Sequence, residues 1–180
     1  FLGVKPSNTY KFLIILSPVG SYYKEGINPV KIYVEENYAR AVKGGVGYTK
    51  TAGNYAASLK AQMEAQQKGF TQVLWLDAIE KKYVEEVGTM NVFFVIDDEV
   101  ITPSLEGSIL GGVTRDSAIE LMKSWGIKVT ERRITIEEIS TAHQEGRLKE
   151  AFGTGTAAVI SPIGELYWCN KNMIINQSVT

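Results

Sequence analysis

The chain has 180 residues, 44% of them hydrophobic, enough to bury a core of its own. Nineteen Lys and Arg stand against 20 Asp and Glu, a formal charge of -1 that excludes the basic footprint of a nucleic-acid binder. A single cysteine, Cys169, excludes an internal disulfide framework and a cysteine-rich metal site, and no apolar run is long enough to span a bilayer as a helix.

The elements follow in chain order. Phe1 to Thr9 lack the charged-then-apolar order of a signal peptide, so the non-methionine start predicts a cut or processed product. Tyr10 to Val19, closed by Pro18 and Gly20, reads as a buried strand, and Val30 to Ala41 alternates as a second one. After a glycine cluster, Tyr55 to Lys68 sets Ala56, Leu59, Met63 and Ala65 at helical intervals and stops at Gly69. Gln72 to Asp77 reads as a strand. Asn91 to Ile96, the turn Asp97-Asp98-Glu99 and Val100 to Thr102 read as a hairpin.

Gly111-Gly112-Val113-Thr114-Arg115 opens a helix to about Trp125, and Thr135-x-x-Glu138 is a capping box for another that ends at Gly146. His143, the only histidine, lies in that helix with no second metal ligand at helical spacing, and reads as a solvated side chain. Glu150 to Phe152 and Val159 to Ser161 flank a small glycine turn. Strands alternate with helices without a repeat or linker, which predicts one mixed α/β domain over residues 1–180.

Three glycine-containing stretches carry chemistry. Gly44-x-x-x-x-Thr49-Lys50-Thr51 departs from the phosphate-binding P-loop only at the residue before the lysine. That residue decides the matter, because a β-branched threonine resists the curl that presents successive N–H groups to a phosphate. Val73 to Asp77 imitates a magnesium-binding strand, but apolar strands ending in Asp are common. Gly153-Thr154-Gly155-Thr156-Ala157-Ala158 fits G-x-G-x-x-A without the crossover helix that would hold a pyrophosphate, leaving a tight turn or a small anion nest with Thr156 adding a hydroxyl. Gly111-Gly112-Val113-Thr114 is a helix entry whose free N–H groups suit a phosphate.

Glu85 and Glu86 precede a glycine turn, Gly88-Thr89. Glu85 reads as a surface acid, whereas Glu86, if its side chain points inward, needs a cationic or hydrogen-bond-donating partner. A lysine, two phosphate-type turns and an inward acid together fit pyridoxal phosphate, which has an aldehyde, a phosphate and a ring nitrogen to be kept charged.

With these residues in place, the chain resembles the C-terminal half of a branched-chain amino acid aminotransferase of the fold-type IV pyridoxal phosphate class, which implies an α/β domain with a mixed sheet or pseudo-barrel and surrounding helices. The most specific pieces are Gly44 to Tyr55, Glu86 to Asn91 and Gly153 to Ala158. The resemblance implies Lys50 as the Schiff-base lysine and proton carrier, Tyr55 on the cofactor's phenolic oxygen, Glu86 on its ring nitrogen and Leu110 against the ring. It also implies Val113, Thr114 and Thr156 on the phosphate, with Thr89 and Ala157 towards the substrate carboxylate.

The implied reaction transfers the amino group of Leu, Ile or Val to 2-oxoglutarate, in a cytoplasmic homodimer that needs no membrane or nucleic acid. The family's N-terminal domain, with a phosphate-binding arginine and most of the side-chain pocket, is missing here, so the isolated piece is expected to have little or no activity. Many relatives have proline at Gly111, and the thiol pair of the mammalian type is replaced at Ala158 and Ser161. A D-amino acid aminotransferase or aminodeoxychorismate lyase of the same class stays open, although Gly88 to Asn91 favours the branched-chain branch. So do an ATP-binding P-loop-like domain and a non-catalytic module.

Overall fold

The computed structural model describes residues 3–18, 27–157 and 159–176. Among the described residues the order is β1 (Val30–Glu35), α1 (Ala52–Gln67), β2 (Gln72–Leu76), β3 (Val84–Val87), β4 (Met90–Ile96), β5 (Glu99–Thr102), α2 (Val113–Ser124), β6 (Lys128–Glu131), α3 (Ile136–Gln144), β7 (Leu148–Gly155), β8 (Val159–Trp168) and β9 (Lys171–Ile174).

The alternation of apolar residues explains the shape. In β4, Val92, Phe94 and Ile96 point into one cluster with Ile32, Val34, Leu74, Leu76, Ile163 and Leu166. Phe93 points the other way, onto Val100 and Ile119 of α2, and its ring stacks on Phe152 at 5.0 Å. In β2, Leu74 and Leu76 face the first cluster while Val73 and Trp75 lie under Ala61 and Ala65 of α1. Strands buried on both faces carry continuous apolar runs, as these do.

The sheet runs β3-β2-β1-β8-β7-β4 and closes on itself, because β4 also pairs with β3 through Glu86 opposite Asn91 and Val87 opposite Met90. The result is a six-strand barrel of mixed direction, with β1 parallel to both β2 and β8. β5 and β6 extend it beyond β4, and β9 pairs with β8. Inside lies the first cluster, against which α3 packs Ile136, Ile139 and Ala142. α1 and α2 cover two patches of the outer surface. The expected α/β pseudo-barrel with surrounding helices is what forms.

Four expectations about strands and helices are corrected. Residues 10–18 form no strand and are exposed, because none of the described strands pairs with them; Val19 and Gly20 lie outside the described residues. The strand expected to reach Ala41 stops at Glu35, whose Oε1 accepts the backbone N–H groups of Asn37 and Tyr38 at 2.7 and 2.9 Å and turns the chain. On α1 the apolar residues Leu59 and Met63 are 61% and 59% exposed, while the buried side is Asn54, Ala61 and Ala65. Small alanines let the helix approach the bulk of Trp75, so residue size rather than hydropathy sets the buried face. Finally, β6 and β9 were not expected, since both are short and half polar.

The capping box forms as expected: the Thr135 hydroxyl accepts from the Glu138 N–H at 3.0 Å. His143, expected to be solvated, is instead half-buried on α3, with Nε2 2.9 Å from the Ile174 carbonyl. No helix among the described residues is long and apolar enough to cross a membrane, and none of them form a metal-holding group of His, Cys, Asp and Glu.

Trp75 ties helix, barrel and turn together: it is fully buried, and its indole N–H donates to the Gly88 carbonyl at 2.8 Å. Trp75→Phe keeps most of the packing and leaves that carbonyl without its donor. The expected loss is about 1–3 kcal/mol in urea unfolding; a loss near zero would mean that the bond carries no stability.

Candidate active site

Register places Trp75, Glu86, Asn91, Thr154 and Ile160 opposite one another across β2, β3, β4, β7 and β8. Residues paired this way share a face, here the outer face on which Trp75 meets α1. α1 covers one end of this row, and α2 begins near its middle, beside Asn91. In the uncovered gap, Glu86, Asn91 and Thr154 are polar yet only 4%, 6% and 1% exposed.

Such groups must be partnered, and most are. The Asn91 amide Nδ2 donates to the Leu110 carbonyl at 2.8 Å, and the Leu110 N–H donates to Glu86 Oε1 at 3.0 Å. Arg40 Nε lies 3.0 Å from Glu86 Oε2. That contact is off the N–H axis, so it is a charge contact more than an aligned hydrogen bond. The guanidinium also donates to the Ser108 carbonyl. Thr154 Oγ1 has no hydrogen-bond partner among the described residues.

The glycine-lysine loop builds one wall. Residues 43–48 form turns that carry the chain to Lys50, just before Thr51, which flanks the start of α1. Gly47 is required by close approach, since a Cβ there would sit 2.2 Å from the Ser108 carbonyl oxygen. The loop turns its carbonyls inward: Asn54 Nδ2 donates to the Val46 and Thr49 oxygens at 3.0 and 2.9 Å, and the Thr49 hydroxyl donates to Val46 O. A P-loop would turn N–H groups inward, so this geometry is the reverse of a phosphate cradle. Asp77, the supposed magnesium ligand, instead accepts backbone N–H groups from Ile79, Glu80, Lys82 and Tyr83 and shapes a turn.

The opposite wall is the start of α2. Gly112 precedes the helix, and no side chain caps it, which leaves the N–H groups of Val113 and Thr114 free of intrahelical partners. A Cβ on Gly112 would fall 2.3 Å from Asn91 Oδ1, so only glycine lets the helix start lie this close to the row. β7 and β8 meet in a hairpin with Gly155 opposite Val159, and Thr156 and Ala157 are exposed in its turn. Residues 156 and 157 thus form the tight turn between the two strands; Ala158 lies outside the described residues.

One cleft gathers Tyr55, Glu86, Thr89 and Leu110 with Arg40, Thr49, Asn54 and Ser58. Lys50 is exposed, yet close enough for its charge to act on Glu86. Of the residues expected from sequence, Tyr55, Glu86, Leu110 and Thr89 are thus brought together. Val113 and Thr114 follow Leu110 by three and four residues, and Thr156 and Ala157 lie just beyond Thr154. Sequence reasoning missed Arg40, Asn91, Ser108 and Thr154. The signal for Arg40 was a lone cation among Tyr38, Ala39, Ala41 and Val42. A larger hollow of about 220 Å³ lies around Glu85, Asp77 and Arg133, without the lysine, the tyrosine or Glu86.

Burial pushes the Glu86 carboxyl from its ordinary 4.5 up to about 7, against the opposing pull of Arg40 and of the Leu110 N–H; Glu85 adds to the rise and Lys50 reduces it. Glu85, expected at the surface, is buried as well, and burial raises its carboxyl, with Ser108 and Arg40 opposing. A carboxyl whose folded pKa exceeds its unfolded one binds protons more tightly when folded, so stability falls as pH rises between the two values. Resistance to urea should therefore decline from pH 4.5 to about 7, and Glu86→Gln should flatten that slope. Equal slopes in the two proteins would refute the assignment.

The closed barrel is the fold of the fold-type IV branched-chain aminotransferases that this chain matches in structure. The chain belongs to the family described as "Amino-transferase class IV", whose pattern matches residues 2–166. It is 66% identical over its whole length to "Branched-chain-amino-acid aminotransferase 2" of Bacillus subtilis (strain 168), of which it covers 50%.

Among solved structures, the branched-chain aminotransferase from Thermoproteus uzoniensis with norvaline matches 91% of this chain and 50% of its own, with TM-score 0.76 and 30% identity. The T.th. branched-chain amino acid aminotransferase complexed with N-(5'-phosphopyridoxyl)-L-glutamate matches 82% of this chain and 46% of its own, with TM-score 0.68 and 32% identity. The chain thus spans about half the length of the relatives it matches.

Proposed function

We propose that residues 1–180 are the cofactor-binding C-terminal domain of a pyridoxal 5'-phosphate-dependent branched-chain amino acid aminotransferase. The observation that carries this reading is the buried Glu86 carboxylate, fixed from two sides and opening on a cleft beside Tyr55 and the Lys50 loop. Its relatives' names and the phosphopyridoxyl group in one similar structure support the choice of cofactor and substrate class.

The donor set suits that cofactor. A carboxylate kept from water matches a ring nitrogen, unpartnered N–H groups at the start of α2 match a phosphate, and Gly112 lets that helix start lie against Asn91, the strand partner of Glu86. When bound, pyridoxal phosphate supplies an aldehyde for the lysine and a ring that accepts electrons from the substrate's α-carbon.

The chain's own residues do the rest. Lys50 would carry the cofactor and, once released from it by the incoming amine, take the proton from the substrate α-carbon and return it at the cofactor's C4′. Glu86 would keep the ring nitrogen protonated, and the Tyr55 hydroxyl would donate to the phenolic oxygen. Leu110 would support one ring face. Val113, Thr114 and Thr156 would hold the phosphate, and Thr89 and Ala157 would stand towards the substrate carboxylate.

The substrates under this reading are Leu, Ile and Val, with 2-oxoglutarate as the amino acceptor. The half of the relatives' length that this chain does not span would complete the side-chain pocket and cover the exposed Lys50, so the isolated chain would be inactive or nearly so. The whole protein would act as a cytoplasmic homodimer.

Full-length protein mixed with pyridoxal phosphate should turn yellow, lose the colour with borohydride, and transaminate Leu, Ile and Val with 2-oxoglutarate. Lys50→Ala should never acquire the borohydride-sensitive colour and should lose at least about 1,000-fold in turnover. A wild-type protein that stays colourless overturns the reading.

A further inference from the structure

Behind the Glu86 carboxylate lies a second layer of charge that the reaction above does not use. Arg40 is 9% exposed and serves two acids of β3. Its Nε stands 3.0 Å from Glu86 Oε2. Its Nη2 donates to the Ser108 carbonyl, and the Ser108 hydroxyl donates to Glu85 Oε1. Glu85 is 8% exposed, and its Oε2 has no hydrogen-bond partner among the described residues. The β2–β3 register shifts between Trp75 and Leu76, so Glu85 is the extra residue of a bulge and strict alternation is broken there; both acids come within the field of one guanidinium.

Two buried carboxylates and one buried cation cannot all be satisfied as ions. Both acids are destabilised by burial and both draw on Arg40. The other groups facing Glu86 are Lys50 from the loop before α1, Tyr55 from α1 and the Leu110 N–H from the segment before α2. Those facing Glu85 are Ser108, Asp77 and Arg133. Of the two cations that act on Glu86, Lys50 is exposed and is the one the proposed reaction occupies, which leaves Arg40 as the permanent one.

We propose that Arg40 is a positioning residue for the cofactor's ring nitrogen, holding Glu86 charged and oriented, while Glu85, linked through Ser108, competes for the same guanidinium. The inference rests on the pyridoxal phosphate reading. Glu86 and the ring nitrogen share one proton. With Arg40 in place the proton stays on the nitrogen and Glu86 is a carboxylate. Without it the same proton moves to Glu86, and the ring nitrogen is left neutral and a poorer electron sink. Glu85 pushes in the direction opposite to Arg40.

The test uses full-length protein with ¹³C-labelled glutamate, titrated without cofactor, and then ¹⁵N-labelled pyridoxal phosphate in the loaded protein. Arg40→Met should raise the Glu86 midpoint by about one pH unit or more, and Arg40→Lys should restore part of the shift. Glu85→Gln should lower the midpoint by about half a unit or more. In loaded protein, Arg40→Met should move the ring-nitrogen resonance towards its neutral-pyridine position.

A Glu86 midpoint unmoved by both Arg40→Met and Glu85→Gln overturns the inference. If Arg40→Met does not fold, Glu85→Gln decides alone, and an unmoved or raised midpoint counts against it. A wild-type protein that binds no pyridoxal phosphate refutes the proposed function instead, an outcome distinct from an unmoved midpoint.

Discussion

Two residue pairs, Glu86 with Asn91 and Val87 with Met90, turn a folded sheet into a barrel. Without them β3 would be an edge strand held by β2 alone, and its backbone would be open to solvent or to another chain. With them, β3 is fixed from both sides, and closure sets which of its side chains face outward. The site depends on this, because the outward row from Trp75 to Thr154 exists only if every strand between keeps its register. Apolar burial supplies the driving force, and the backbone ladder supplies the address.

The barrel interior is apolar, and the buried polar row lies on its outer surface, in the gap between two covering helices. That placement resolves a conflict. A carboxylate held away from water must be costly, but it must also be reachable by a ligand. Glu86 satisfies both conditions by resting on the barrel wall under Leu110, with Arg40 behind it and the cleft in front. Its carboxyl is raised rather than suppressed, because desolvation outweighs the help from Arg40 and the Leu110 N–H. The nearby helix start adds fixed dipoles without adding another titrating group.

Much of this could be read from sequence where local chemistry decides. The double-sided apolar runs of β2 and β4, the capped α3 and the glycine-led α2 all follow from neighbouring residues. Residue 49 was enough to set the lysine loop apart from a P-loop, and its carbonyl-inward geometry bears that out. What sequence hid was long-range. Arg40 looked like a strand residue because its partner is 46 positions away, on β3. The exposed stripe on α1 looked like its core face because Leu and Met are more apolar than Ala, but Trp75 leaves room only for alanine. Residues 10–18 have strand-like composition and no strand to pair with, since pairing depends on another segment being present and not on composition. Closure of the barrel itself was legible only through resemblance.

The place of Glu86 on its strand, next to the bulge at Glu85, has a consequence for how this chain can change over time. Insertions in the exposed turn at Asp97 and Asp98 would lengthen a hairpin and leave the site where it is. One residue gained or lost between Val84 and Met90 would rotate the strand by half a period. Glu86 would then be carried to the far side, away from the Leu110 N–H and Arg40, and Val87 would leave the interior cluster. For this short stretch, reading frame within the strand is a condition of chemistry before it is a condition of folding, and drift in the family should show length held constant there even where residue identity is free.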